Sequence, residues 1–352
     1  MSYRLNVYTE QDLAPYLSSR TGEKRIGEAL FFINTQVDFD QALLDASHFG
    51  IKYVLLGIPE DIGPKANCGQ GGAQLGWQAF LSRFANLQSN RHFPAEQVLL
   101  LGEIDLTDLQ KQADSLSPNI PSDLIALREL CSQVDDAVEP VIRAIFNAGL
   151  EPIIIGGGHN NCFPIIKALS TSSQNKISAV NLDPHADFRA IEGRHSGNGF
   201  HYAYQNQFLA NYHVIGLHEL KNNEAIYCAL EQAGFSYDSY QKIKVRQQIT
   251  LNKACFNVRQ KFEQSLLPVG IEVDVDSISY MPVSAFTNCS FSVSEAEQFV
   301  FNMASLKDTR YLHLCEAAPQ QHAAGLSQGL NEAGQTLCAL VYAYLMARTA
   351  IK

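Results

Sequence analysis

The sequence predicts an α/β protein built around a mostly parallel sheet. Three observations predict it. Short apolar runs alternate with longer helix-like segments, and several runs are apolar almost throughout, as strands covered on both faces are. No Pro/Gly/Ser-rich linker, internal repeat or low-complexity tract breaks the alternation. The 352 residues suffice for a large core, and 46% apolar with 18% charged residues is globular composition. One domain over 1–352 is expected, with roughly the first 50 residues a peripheral extension.

Taken in order, the predicted strands are "KYVLLGIP" (52–59), "QVLLLGEID" (97–105), "LEPIIIGGG" (150–158), "KISAVNLD" (176–183), "NYHVIGLHE" (211–219), "LLPVGIEVDVD" (266–276) and "TRYLHLCEAAP" (309–319). Helices are predicted over 72–87, 123–149, 162–170, 224–234, 294–305 and 333–348, with Gly149 as a C-terminal stop. The stretch 107–122, "TDLQKQADSLSPNIPS", reads as an inserted loop.

Composition excludes several function classes. The net charge is −10, and no Lys/Arg cluster marks a nucleic-acid groove or an anionic membrane surface. The segment "MSYRLNVYTEQDL" lacks the apolar core of a signal peptide, and no apolar run approaches the ~20 residues of a membrane span. The eight cysteines, at 68, 131, 162, 228, 255, 289, 315 and 338, contain no CxxC pair, which argues against structural zinc and a disulfide framework. Reduced buried thiols in a cytoplasmic protein are expected.

The chemistry gathers at strand ends, where open α/β sheets bind ligands. "AVNLDPHADFR" places Asp183, His185 and Asp187 directly after an apolar run. His159 follows "GGG" at another strand end, Asp274 and Asp276 lie on one side of a third strand, and Glu316 ends a fourth. Each has a plain alternative: a helix cap for His159, turn residues for the aspartates, an ion-pair partner for Glu316. Together they form an oxygen-rich set with two imidazoles and no thiolate, whose charges repel unless cations sit among them. That set favours Mn²⁺ or a similar hard ion, and suits a pair of metals ~3.5 Å apart that acidify a shared water.

The blocks "GGGH" (156–159), "DPHAD" (183–187), "EVDVDS" (272–277) and "CEAAP" (315–319) resemble, in order and spacing, the ureohydrolase superfamily of arginases, agmatinases and formimidoylglutamases. The resemblance runs from about Val54 to the end of the chain. It implies a three-layer α/β/α arginase-like fold with a sheet of about eight strands, and a cytoplasmic homo-oligomer, trimer or hexamer. It implies two Mn²⁺ per subunit: His159, Asp183, Asp187 and Asp274 on one, Asp183, His185, Asp274 and Asp276 on the other, with Asp183 and Asp274 bridging. Glu316 resembles the glutamate that anchors the substrate's amidine or guanidine nitrogen.

Within the superfamily, "LGIPEDIGPKANCGQGGAQLGWQAFLSRFANLQSN" (56–90), "RHSGNGFHYA" (194–203) and "IGLHELKNN" (215–223) resemble the formimidoylglutamase branch, with Gln70 where that branch usually has arginine. This implies hydrolysis of N-formimino-L-glutamate to L-glutamate and formamide, in histidine degradation. The alternative is hydrolysis of another guanidino compound (arginase, agmatinase or guanidinobutyrase type), releasing urea. A third reading, from a different class, is an oligomer that has lost catalysis and serves binding or regulation.

A dicarboxylate substrate calls for cationic, planar donors. Arg189, two residues beyond Asp187, is the first candidate; Arg194, Ser196 and Asn198 could share the contact, and Lys221 is a lesser one. An exposed or ion-paired arginine is the plain alternative for Arg189. The histidine that protonates the leaving amine in arginases aligns here with Phe200. His201, next to it, is the candidate shuttle, against a surface histidine or no shuttle at all. Cys68 and Cys162 read as packing residues.

Overall fold

The computed structural model describes residues 3–18 and 20–350. Nine strands form one sheet: β1 (Leu5–Val7), β2 (Tyr53–Gly57), β3 (Val98–Ile104), β4 (Glu151–Ile155), β5 (Ile177–Leu182), β6 (Leu209–Leu217), β7 (Ser236–Ser239), β8 (Val269–Asp274) and β9 (Thr309–Cys315). Their order is β1-β3-β2-β4-β9-β8-β5-β6-β7. Only β1 runs antiparallel to its neighbour; every other pairing is parallel.

All seven predicted strands are present, and the sheet has nine strands where about eight were expected. The two unpredicted strands lie at its edges. β1 has three residues, none buried, and β7 reads "SYDS", so neither carries an apolar run to signal it. Edge strands need less hydrophobic drive because one side stays unpaired.

Helices cover both faces. Gly76–Phe84, Leu251–Ser265, Val293–Ala304 and Leu326–Ala350 pack on the face carrying Val180, Ile271, Val273, Leu312 and Leu314. Phe39–His48, Pro121–Asn147, Cys162–Ser173 and Glu224–Gln232 cover the other, with Ala179, Tyr212 and Tyr311. These are the three layers of the expected α/β/α arrangement.

Pro121–Asn147 ends as predicted, with Gly149 at φ 75°. The loop expected at 107–122 is corrected: Thr107–Asp114 is a helix whose Leu109 and Ala113, four residues apart, bury one face. Leu251–Ser265 also went unpredicted, although Leu251, Ala254, Cys255, Val258 and Phe262 form a helical stripe. No helix among the described residues is long and apolar enough to cross a membrane.

Candidate metal centre and substrate cavity

Four strands that are far apart in sequence are neighbours at the centre of the sheet: β4, β9, β8 and β5. The pairs Ile155–Leu314, Asp274–Cys315 and Leu182–Val273 bring their carboxyl ends to one level. His159, Glu316, Asp274 and Asp183 follow those ends within a few residues, so sheet register alone converges them.

His159 is fully buried, with Nδ1 2.8 Å from Asp187 Oδ2, 3.2 Å from Asp183 Oδ2 and 3.6 Å from Asp274 Oδ2. None of these oxygens is aligned to hydrogen-bond the ring, and both ring nitrogens lack a hydrogen-bond partner. Each of His159, Asp183, Asp187 and Asp274 offers a ligand atom, all within 4.8 Å of one another. Asp183, His185 and Asp276 form a second such set, with His185 Nδ1 3.1 Å from Asp276 Oδ2. Asp183 belongs to both sets, whereas Asp274 belongs to the first and its Oδ1 accepts the Asp276 amide at 2.9 Å. Asp276 Oδ1 is buried without a partner.

The charges conflict as they stand. Burial, reinforced by Asp183, pushes Asp187 up to about 6, and burial with Asp276 and Asp183 drives Asp274 well above the usual carboxylate range. Asp183 goes the other way, to about 2: burial would raise it, but the His159 and His185 imidazoles beside it, at 3.2 and 3.5 Å, prevail. Crowded buried oxygens and unpartnered imidazole nitrogens are what a pair of divalent cations relieves, so the donor set fits the implied metals.

Local backbone supports the cradle. Gly157 has φ 72°, and a Cβ there would lie 2.4 Å from Asn161 Nδ2 and 2.8 Å from Glu60 Oε1. Glu60, fully buried, accepts from the Gly158 amide at 2.7 Å, Asn161 Nδ2 at 2.7 Å and the Gly63 amide at 3.1 Å, tying the turn before His159 to the end of β2. Asp187 and Glu316 both hold left-handed backbone, at φ 45° and 65°. Glu316 Oε1 accepts the His159 amide at 2.9 Å, and burial pushes its carboxyl up to about 8.

A cavity of about 720 Å³ opens over these residues, lined by His185, Asp187, Asp274, Asp276 and Glu316. Asn67, Gln70, Arg189, Ser196, Lys221 and Asn223 line it from loops. Asn222 holds two of those loops together: Oδ1 accepts the Ala186 amide, and Nδ2 donates to the Pro184 and His218 carbonyls, each at 3.0 Å. Arg189 is fixed at the backbone and free at the tip. Its amide donates to Gly197 at 3.0 Å, while its side chain, 52% exposed, has only a 3.9 Å contact with Glu192.

Three of the residues expected near the substrate are not brought to the cavity. Arg194 is buried, with Nε and Nη2 on Asp135 at 2.7 and 3.1 Å, Nη1 on Asn198 Oδ1 at 2.8 Å and Nη2 on the Asn160 carbonyl at 2.8 Å. Asn198, also buried, spends its amide group on the Gly193 and Ala190 carbonyls. These two brace the loop rather than face a ligand. His201 stacks on Phe188 and donates Nδ1–H to the Arg189 carbonyl at 2.7 Å. Cys162 is buried as expected, but Cys68 is exposed and lines the cavity; Cys228 and Cys289 are also exposed, and all eight cysteines are free.

The sequence reading passed over Glu60, Asn222 and Glu272. Of these, Glu272 left the plainest signal, a carboxylate between Ile271 and Val273 in a fully buried strand.

The arginase family model matches residues 51–346. The chain belongs to the arginase family. Among curated relatives, it is 24% identical over 296 residues to a formimidoylglutamase of Macrococcus caseolyticus, covering 82% of this chain and 85% of that one. Among solved structures, formimidoylglutamase of Bacillus subtilis superposes with a TM-score of 0.75 at 14% identity, over 97% of this chain and 99% of the other. Formiminoglutamase of Trypanosoma cruzi, determined with Mn²⁺, gives 0.68 at 18% identity over 92% and 98%. This arginase-family chain therefore shares the fold of both.

Proposed function

We propose that the chain is a binuclear-manganese hydrolase of a formimino C–N bond, converting N-formimino-L-glutamate and water to L-glutamate and formamide. The observation that carries the reading is the pair of ligand sets sharing Asp183 beneath a cavity whose loops present Arg189 and Lys221. Formimidoylglutamases among the relatives support the substrate, and the Mn²⁺ of the Trypanosoma cruzi structure supports the metal.

His159, Asp183, Asp187 and Asp274 would hold one ion and Asp183, His185, Asp274 and Asp276 the other. The ions would supply an acidified water and polarise the reacting carbon. The chain's own residues do the rest. Glu316 keeps Oε1 on the His159 amide, and no other protein group among the described residues engages Oε2. Oε2 is thus available to accept an N–H of the formimino group and fix it over the metal sets. Water adds to the formimino carbon, the C–N bond to the glutamate nitrogen breaks, and that nitrogen takes a proton as it leaves. Arg189 and Lys221 are the cations available to the two substrate carboxylates, and Ser196, linked to Asn67 at 3.3 Å, shares that wall.

The test is a panel of N-formimino-L-glutamate, arginine, agmatine and 4-guanidinobutyrate with added Mn²⁺, measuring formamide and urea. Formamide from the first alone is expected; urea from a guanidino compound with no formamide sinks the reading. A cytoplasmic homo-oligomer, trimer or hexamer, is part of the proposal, and light scattering that finds a monomer removes it.

A further inference from the structure

Beneath the metal sets, on the same sheet face, His159 meets three buried polar side chains with no place in the scheme above. Glu272, Tyr311, His313 and His159 are all fully buried. Glu272 and His313 are register partners on β8 and β9. The Tyr311 hydroxyl donates to Glu272 Oε1 at 2.6 Å, and His313 Nδ1–H donates to Oε2 at 2.6 Å. Gly270, two residues before Glu272, makes room for the tyrosine: a Cβ there would lie 2.2 Å from the Tyr311 ring. A carboxylate buried among core strands is costly, and three of its surroundings are arranged to hold it in one orientation.

Its orientation is toward His159. Glu272 Oε2 lies 3.5 Å from His159 Nε2, on the opposite side of the ring from the aspartates that crowd Nδ1. When Nδ1 serves as a metal ligand it must be unprotonated, so the ring hydrogen resides on Nε2. That N–H is fully buried and has no hydrogen-bond partner of its own. Glu272 Oε2 is the carboxylate beside it, and His313 and Cys315 each bring a polar atom within 4.8 Å of the His159 ring. Only Glu272 brings a negative charge.

We propose that Glu272, aimed by Tyr311 and His313, is a positioning residue of the metal centre that holds the Nε2–H of His159 and thereby presents Nδ1 to the metal. The proposal rests on the reading of His159 as a ligand. Outer carboxylates of this kind fix the imidazole tautomer and raise its basicity, and losing one typically costs about 10–100-fold in metal affinity or activity.

The test is calorimetric titration of the full-length, EDTA-stripped protein with Mn²⁺, comparing wild type with Glu272→Gln and Tyr311→Phe. Wild type is expected to bind two ions. In Glu272→Gln one ion should bind about 10–100-fold more weakly with the other unchanged, and kcat should fall while KM stays within about twofold. The stripped variant should melt within a few degrees of stripped wild type. A variant that binds both ions as wild type does overturns the positioning role. So does one that weakens both ions equally and lowers the melting point of the stripped protein, because that is loss of packing. Tyr311→Phe removes one hydrogen bond to Glu272 and keeps the ring, so it applies if the glutamine variant fails to fold. It should weaken the same single ion about two- to tenfold, and an unchanged titration overturns the proposal. Wild type that binds no Mn²⁺ fails the metal reading instead, which keeps the two failures distinct.

Discussion

At the floor of the cavity Asp183, Asp274 and Glu316 extend from central strands and are at most 8% exposed. At its mouth Arg189 and Lys221 stand on loops, with the arginine side chain 52% exposed. The floor's side chains are positioned by sheet register and by buried partners such as Glu60. The mouth's side chains are positioned only at their backbones, by contacts such as Asn222 to Ala186 and Pro184. Bond-breaking chemistry tolerates little displacement, whereas substrate choice is changed by exchanging loop residues on an unchanged base.

Substitutions probe that contrast in descending order of effect. Asp274→Ala removes a carboxylate from the floor and should cut turnover more than ~100-fold, beyond the range of outer-partner changes, with Mn²⁺ binding lost in calorimetry. Wild-type activity in that variant breaks the contrast outright. Glu60→Ala strands buried donors at Gly158, Asn161 and Gly63. It should cost about 3 kcal/mol or more of stability, read as the midpoint of denaturant unfolding.

The mouth loop also contains a buried histidine, His195, whose folded-state pKa is held near 3 by burial and by Arg128, Arg189 and Arg194. The unfolded chain binds that proton near 6.5, so acid favours unfolding. Its stabilising contribution is complete above about 6.5 and shrinks as pH falls toward 3, by at most about 2 kcal/mol between pH 7 and 5. Urea titrations at both pH values should show a shallower acid loss in His195→Gln than in wild type. Arg189→Ala should raise KM about tenfold, the worth of one charge-assisted hydrogen bond, with its melting point unchanged. An unchanged KM discards the arginine's substrate role. Lys221→Ala should raise KM only a few-fold, as befits a partly solvated charge.

The floor was far more legible in the sequence than the mouth. His159, Asp183 and Asp274 announce themselves because carboxylates and imidazole at the ends of apolar strands are out of place unless something binds them. Arg194 misled for the converse reason: its partner Asp135 lies 59 residues away on a helix, and nothing in "EGRHSGN" discloses that pairing. Glu272 was hidden in plain view, because in "GIEVDVD" the alternation that points Asp274 and Asp276 to one side absorbs it as another strand residue. Among the strands, β7 escaped because "SYDS" has no hydrophobic period, and the helix at 107–114 because two buried residues make a faint stripe.

The strand order has a consequence for synthesis as well. β9 lies between β4 and β8, yet it leaves the ribosome after both. Until it arrives, the centre of the sheet is an open gap flanked by two unpaired strand edges, and such edges invite association with other chains. Closing the gap joins residues more than 150 positions apart, as in the bond from the His159 amide to Glu316, a slow class of contact. The nascent chain therefore carries all four of its aspartate ligands before the glutamate beside them exists. The last strand inserted completes the sheet and the reaction centre together.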